Sequence, residues 1–192
     1  MSWPDQLARL LAARRDGRCW SVVNAGISGN RLLHDGRGPN ALARFDRDVL
    51  SVPGVRTVIL LEGINDIGAS AMPGRRDDAV GADRIIASYR EMAARARAHG
   101  IRVIAGTLLP FEGAAYFTAE GEAKRQAANA WIRTSGELDG VIDFDAAMRD
   151  PARPTHMTPR TGSTDSLHPQ DAGYTIMAQA AEAVIARDRC TR

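Results

Sequence analysis

The stretch RTVILLEGINDIG, residues 56–68, indicates the fold class of this chain. Its first half is rich in Val, Ile and Leu and apolar at nearly every position, which is typical of a parallel strand covered on both faces. Its second half changes abruptly to glycine and polar residues. In open parallel sheets the ligand lies beyond the carboxyl ends of the strands, so this loop is a place to look for a functional site.

A similar alternation of strand and helix patterns runs through the rest of the chain. Apolar periods between the strand candidates favour helices, the first capped by Ser2 and the last following Pro169. This order of elements predicts a single α/β domain over residues 1–192. The other strand candidates are SVVNA (21–25), IRVIAGT (101–107) and GVIDFD (140–145). Further helices are expected near 42–49, over 85–96 and over 119–134. The second of these should end at His99 and Gly100, and the third should bury Trp131. The segments 66–78 and 149–167 are predicted to be irregular.

The composition excludes several classes of protein. Apolar residues make up 44% and charged residues 25%, a balance typical of soluble globular domains. The net charge is +2, from 25 basic and 23 acidic side chains, so neither a nucleic-acid partner nor a membrane surface is indicated. No apolar run has the length of a transmembrane segment. The two cysteines, Cys19 and Cys190, lie near opposite ends, which argues against a disulfide framework or a cysteine-based metal site.

Two glycine-containing loops follow strand candidates. In NAGISGNRLL (24–33), Gly29 frees the backbone to turn sharply and to point an N–H group outward. The spacing differs from the G-x-G-x-x-G pattern of dinucleotide-binding loops, and a simple tight turn is the alternative. In EGINDIG (62–68), Asn65 is either a turn residue or a neutral amide donor able to bond a developing oxyanion.

A third stretch, DSLHP (165–169), places an acid and an imidazole three positions apart, just before a predicted helix. A carboxylate paired with a histidine orients the ring and stabilises the imidazolium when the histidine takes a proton. The alternative is that Asp165 or His168 caps the helix. A metal site is disfavoured, because two ligands are too few and the other histidines lack metal-type spacing.

Together these stretches resemble the SGNH hydrolases, also called GDSL-type esterases and lipases, over nearly the whole chain. The resemblance implies a three-layer, flavodoxin-like α/β fold with a parallel sheet, and neither a metal nor an organic cofactor. It also implies a role for each matching residue. Gly29 and Asn65 match the donors to the oxyanion, His168 matches the general base, and Asp165 matches the acid that orients the base.

One part of the family pattern is missing. The family's nucleophile is a serine in a Gly-Asp-Ser motif after the first strand, and this sequence contains no Gly-Asp-Ser. On position alone Ser2, Ser28 and Ser166 are weak substitutes. In the flavodoxin-like order 2-1-3-4-5 the missing first strand lies between SVVNA and RTVILLE, whose facing edges would otherwise be unpaired. We therefore expect this strand and its serine to be encoded in frame upstream of Met1.

The resulting hypothesis is a serine-type hydrolase that acts on acyl esters through an acyl-enzyme, with the 192-residue chain itself inactive. The alternative is a catalytically inactive protein that binds an acyl or sugar ligand in the inherited crevice. The expected partner is a small ester, and acetyl, short-chain, lysophospholipid and acylated-sugar esters are all compatible with the pattern. Localisation and oligomeric state are left open; secretion is compatible with the pattern, because an upstream segment can carry a signal peptide.

Overall fold

The computed structural model describes residues 1–14, 20–72, 74 and 78–186, and Cys19 and Cys190 lie outside these ranges. The chain divides into two compact units. The first unit combines Met1–Asn24, Leu109–Ala114 and Ile142–Arg192, and the second combines Ala25–Leu108 and Ala115–Val141. Asp165 and His168 belong to the first unit, whereas Gly29 and Asn65 belong to the second.

Within the described residues the parallel sheet has three strands, β1 Thr57–Leu60, β2 Arg102–Gly106 and β3 Gly140–Ile142, in the order β1-β2-β3. Val58 of β1 lies opposite Val103 of β2 in a parallel register, and Val103 and Ile104 are fully buried. The apolar runs at 56–62, 101–107 and 140–145 are therefore confirmed as strands, each one shorter than predicted.

The prediction of a strand over 21–25 is wrong. Residues 20–26 have no strand or helix assignment, and the Val23 side chain is 69% exposed. A strand exists only where a neighbour takes up its backbone hydrogen bonds. Among the described residues β1 is an edge strand of the sheet and no strand pairs with 21–25. The apolar composition of SVVNA therefore does not suffice to make it a strand.

Four α-helices lie in the described part of the second unit. The longest carries the buried stripe that its sequence predicts, formed by Ile85, Tyr89, Met92 and Ala96. Trp131 is only half buried and meets Tyr89 edge-on, so its inward position is less complete than predicted. The segment 66–78, predicted to be irregular, begins inside a short helix that follows β1. The bounds are α2 Ala41–Phe45, continued by a π-helical turn Asp46–Leu50, α3 Ile64–Ala69, α4 Ala82–Ala98 and α5 Ala119–Thr134.

The first unit is built around two helices that pack together, α1 at Trp3–Ala13 and α7 at Asp171–Ile185. The Ser2 hydroxyl donates to the Asp5 carboxylate at 2.6 Å at the start of α1. The segment 149–167 is not wholly irregular, because a small antiparallel hairpin and a 3₁₀ turn lie within it. The remaining bounds are α6 Phe144–Met148, β4 Arg149–Asp150, β5 Arg153–Met157 and the 3₁₀ turn Pro159–Thr161. None of the described helices is long and apolar enough to cross a membrane.

Candidate active site

Asp165 and His168 form a hydrogen-bonded pair in the first unit. The His168 Nδ1 atom lies 2.7 Å from Asp165 Oδ2, and both side chains are more than half exposed. Burial alone would raise the pKa of Asp165, but hydrogen bonds from the His168 ring and from the His168 and Leu167 amides hold it well below its usual range. An ionised carboxylate only accepts hydrogen bonds, so Nδ1 carries the proton. The Nε2 atom is then the proton acceptor of the ring.

The turn that presents this pair is tightly constructed. Asp165 Oδ1 accepts the Leu167 amide at 3.0 Å and the His168 amide at 2.8 Å, which folds the chain back on the acid. Ser166 has φ +57, a left-handed conformation that is uncommon for a residue with a side chain. Gly113 lies against it, and a Cβ atom there would be 2.6 Å from Ser166 Oγ. The absence of a side chain at Gly113 is what allows this turn.

Replacing Gly113 with alanine is expected to destabilise the protein more than a comparable change elsewhere. Its φ of +97 is unfavourable for alanine, and the added methyl group would overlap Ser166. Together these effects should lower the free energy of unfolding by about 2–4 kcal/mol in urea titrations. Gly136→Ala is the matched control, since Gly136 has φ +68 but open space around it. An equal loss in the two variants would contradict the packing role of Gly113.

In the second unit, Asn30 follows Gly29 directly in the chain and is hydrogen-bonded to Asn65. The Asn30 amide donates to Ile27 at 3.1 Å and closes a turn in which Gly29 has φ +76. The Asn65 Nδ2 group donates to the Asn30 carbonyl oxygen at 3.0 Å. Its second N–H and the Gly29 amide have no acceptor among the described residues. Both donors are of the kind that stabilises an oxyanion.

The neighbouring Asp66 holds the rest of this loop. Its carboxylate is fully buried and accepts the Leu32 amide at 2.8 Å and the Leu33 amide at 3.3 Å. Burial raises the pKa of Asp66, and these two backbone hydrogen bonds oppose the rise. Asn65 and Asp66, which are adjacent on α3, therefore bind consecutive parts of the loop that begins at Gly26.

Tyr116 defines the direction of the Asn65 amide. Its hydroxyl lies 3.4 Å from Asn65 Oδ1, and its ring covers Gly68, where a Cβ atom would be 2.5 Å away. A hydroxyl donor at Oδ1 and a carbonyl acceptor at Nδ2 select one of the two amide orientations. This contact links Tyr116 to Asn65.

The four residues predicted for the site thus form two pairs, one in each unit. Sequence reasoning missed Asn30, Asp66 and Arg44, all of which are nearly or fully buried polar residues in the second unit. Asn30 and Asp66 adjoin Gly29 and Asn65, and that adjacency was the available signal. Arg44 had no such signal, because a buried arginine depends on partners that are distant in sequence.

The serines weighed as substitutes for the nucleophile have other surroundings. The Ser2 hydroxyl is hydrogen-bonded to Asp5, and Ser166 is part of the turn that carries Asp165 and His168. Within the first unit, neither serine is hydrogen-bonded to the His168 ring. Ser28 is exposed beside Gly29. Across the described ranges, no three His, Cys, Asp or Glu side chains cluster in a way that could hold a metal ion.

Glu62, just after β1, is a carboxyl group with an unusual pKa. Burial raises the pKa of Glu62 to about 7, the Arg44 guanidinium lowers it, and the charge of Asp66 adds to the rise. The backbone of Glu62 is held by Tyr89, whose hydroxyl accepts the Glu62 amide at 2.9 Å and donates to its carbonyl at 2.8 Å.

This pKa predicts a stability that falls as the pH rises. Between about pH 4.5 and 7 the folded state keeps a proton on Glu62 that the unfolded state has lost, so stability is fully present below this window and decreases across it. At 1.36 kcal/mol per pKa unit the loss is on the order of 3 kcal/mol. Urea titrations at pH 5 and pH 8 measure it. Glu62→Gln should remove most of the stability difference between pH 5 and pH 8. Glu91→Gln, at an exposed position, should leave that difference unchanged. Equal pH dependence of stability in the two variants would contradict the raised pKa of Glu62.

The chain is similar to known proteins over most of its length. The model of the GDSL-like lipase/acylhydrolase family matches residues 1–176. The chain has no significant match among curated proteins.

Three solved structures illustrate the similarity. A GDSL-like lipase from Bacteroides thetaiotaomicron is 25% identical, with 74% of this chain and 67% of that chain covered and a TM-score of 0.59. An alpha/beta hydrolase from the metagenome of Lake Arreo is 24% identical, with coverage of 95% and 80% and a TM-score of 0.75. A variant of an acetyl xylan esterase from Geobacillus stearothermophilus is 23% identical, with coverage of 95% and 80% and a TM-score of 0.74.

These similarities confirm the predicted α/β fold with its parallel sheet. The family model extends over most of the sequence, including both of the residue pairs described above. The chain therefore belongs to the GDSL-like lipase/acylhydrolase family of carboxylic ester hydrolases.

Proposed function

We propose that this protein hydrolyses small acyl esters by a serine mechanism in which His168 is the general base. The observation that carries the proposal is the 2.7 Å hydrogen bond between His168 Nδ1 and the ionised Asp165 carboxylate. This bond directs Nε2 to accept a proton and stabilises the positive charge that the ring then gains. Gly29 N–H and Asn65 Nδ2 are the proposed donors to the oxyanion.

The proposed reaction has two halves. The serine hydroxyl transfers its proton to His168 Nε2 as its oxygen bonds the ester carbonyl carbon, and Gly29 and Asn65 stabilise the resulting oxyanion. The bond to the alcohol breaks, the alcohol takes the proton from Nε2, and the acyl group stays on the serine. Water then attacks the acyl-enzyme and gives a proton to the same Nε2. The serine oxygen takes this proton as its bond to the acyl group breaks, which releases the acid and restores the free serine.

The nucleophile in this proposal is a serine of a Gly-Asp-Ser motif encoded in frame upstream of Met1. The proposal is motivated by the family membership together with the lack of Gly-Asp-Ser in the 192 residues. Among the described residues β1 pairs with a strand on one side alone, which leaves room for an additional strand that would carry the motif. Reading the upstream DNA tests this directly, and an in-frame stop codon immediately before Met1 would rule it out.

The activity test compares the 192-residue chain with a version extended by its upstream codons. The extended chain is expected to hydrolyse a short-chain aryl ester and to react with a fluorophosphonate probe, and the shorter chain is expected to do neither. Aryl acetate, aryl butyrate, lysophospholipid and acetylated xylan form the substrate panel; the last is included because a similar structure is an acetyl xylan esterase. Failure of the extended chain on the whole panel would reject the proposal.

A second candidate function is favoured by the missing motif alone. Without a Gly-Asp-Ser serine the chain could bind an acyl or sugar ligand and leave it intact. Calorimetric titration with an acetylated oligosaccharide and with a fatty acid would detect such binding. Binding by an extended chain that is neither labelled nor active would favour this candidate over the hydrolase.

A further inference from the structure

Arg44 is a buried, multiply hydrogen-bonded cation in the second unit. Its side chain is 7% exposed and donates to four groups. The Nε atom bonds Asn30 Oδ1 at 2.9 Å, and Nη1 bonds the Ala25 carbonyl at 2.6 Å. Nη1 also bonds Asp48 Oδ2 at 3.1 Å, and Nη2 bonds Glu62 Oε1 at 3.4 Å.

The first two acceptors are the two ends of one loop. Ala25 and Asn30 bracket the turn in which Gly29 lies, so one guanidinium bonds both ends of the segment. Asn30 in turn offers its carbonyl oxygen to Asn65 Nδ2. A chain of hydrogen bonds therefore runs from Arg44 through Asn30 to Asn65, with Gly29 beside it.

This arrangement is difficult to explain as stabilisation alone. Burying a guanidinium with its carboxylates costs desolvation energy that is only partly returned, and apolar residues of similar size often fill such a space equally well. A planar fork of five N–H groups is specifically suited to holding several acceptors at fixed angles, which a lysine ammonium cannot do.

We propose that Arg44 is a positioning residue that fixes the Gly29 amide relative to the Asn65 amide by bonding Ala25 and Asn30 at once. This inference rests on the proposed function, in which those two amides stabilise the oxyanion. Donors to an oxyanion act through their fixed placement, and displacements of about 1 Å can reduce the rate about 100-fold. Loss of Arg44 should therefore affect the chemical step more than the binding of the ester.

The kinetic test uses the extended, active chain. Arg44→Met is expected to lower kcat about 10- to 100-fold with KM changed by no more than about twofold. Arg44→Lys keeps the positive charge beside Asp48 and Glu62 but cannot bridge both ends of the loop. We therefore expect kcat to fall less than in Arg44→Met, again with KM changed by no more than about twofold. Arg47→Met is the matched control, because Arg47 is 64% exposed and bonds Asp48 without reaching the loop.

A spectroscopic test on the 192-residue chain separates this inference from the proposed activity. In ¹⁵N–¹H spectra, Arg44→Lys and Arg44→Met are expected to move the Gly29 backbone and Asn65 side-chain amide signals, and Arg47→Met is expected to leave them in place. The signals of Val103 and Ile104 in β2 report whether the fold is retained. Arg44→Lys provides the test if Arg44→Met does not fold.

The kinetic and spectroscopic results distinguish failure of the positioning role of Arg44 from failure of the proposed ester hydrolysis. Unmoved Gly29 and Asn65 signals in a folded Arg44→Lys protein would overturn the inference, and so would an unchanged kcat in an active extended chain. If the signals move but the extended wild-type chain hydrolyses no ester, then the proposed function fails while Arg44 is still shown to position the loop. Moved signals together with a selective loss of kcat would support both.

Discussion

Replacing His168 with alanine in the extended chain is expected to lower kcat for ester hydrolysis by at least about 1,000-fold. The reason is that Nε2 is the proposed acceptor of the serine proton and the proposed donor to the leaving alcohol. Without it the serine attacks as a neutral hydroxyl, the alcohol leaves as an unprotonated alkoxide, and water attacks the acyl-enzyme without a base, so both halves of the reaction lose their proton transfers. The proposed oxyanion donors, Gly29 and Asn65, would account for the residual rate.

The control for this change is His99→Ala. His99 follows the last residue of α4 and is exposed, and among the described residues its ring is hydrogen-bonded only to the carbonyl oxygen of Arg95. It should keep kcat within about twofold of the wild type, as is usual for exposed positions away from special contacts. Circular dichroism verifies that both variants fold. A His168→Ala protein with unchanged kcat would remove His168 from the mechanism.

The sequence predicted the parts of the fold whose signal is local. Apolar runs at β1 and β2 and the four-residue stripe on α4 are confirmed, because covered parallel strands and a buried helix face impose a periodicity that can be counted. The segment 21–25 has the same composition and forms no strand. Strand formation there depends on a partner, which composition does not report.

The candidate site divides in the same way. Asp165 and His168 lie three residues apart, so their contact is made within one turn and was predictable from the sequence. The roles of Asn30, Asp66 and Arg44 depend on partners 14 to 35 residues away. Their polarity favoured exposure, and only the tertiary hydrogen bonds make their burial possible.

The second large effect concerns Asp165, where replacing one carboxylate oxygen with an NH₂ group is expected to abolish most of the activity. Asp165→Asn should lower kcat about 10,000-fold, the size of loss that follows a wrong histidine tautomer in other serine hydrolases. Asp171→Asn, an exposed carboxylate in the first turn of α7, is the control and should keep its activity. A loss of less than tenfold for Asp165→Asn would contradict the role given to the acid.

The turn itself explains why asparagine fails here. Oδ1 of residue 165 accepts the Leu167 and His168 amides, so a substituted amide keeps its oxygen in that position and turns its NH₂ group toward the His168 ring. Because Nδ1 of His168 then faces the NH₂ donor, Nδ1 becomes the acceptor and the ring proton moves to Nε2. A protonated Nε2 has no lone pair with which to accept the serine proton. Histidine ¹⁵N spectra of the 192-residue chain should show this exchange of the protonated nitrogen, without any need for activity. An Asp165→Asn protein that keeps its proton on Nδ1 would show that the carboxylate does not set the tautomer.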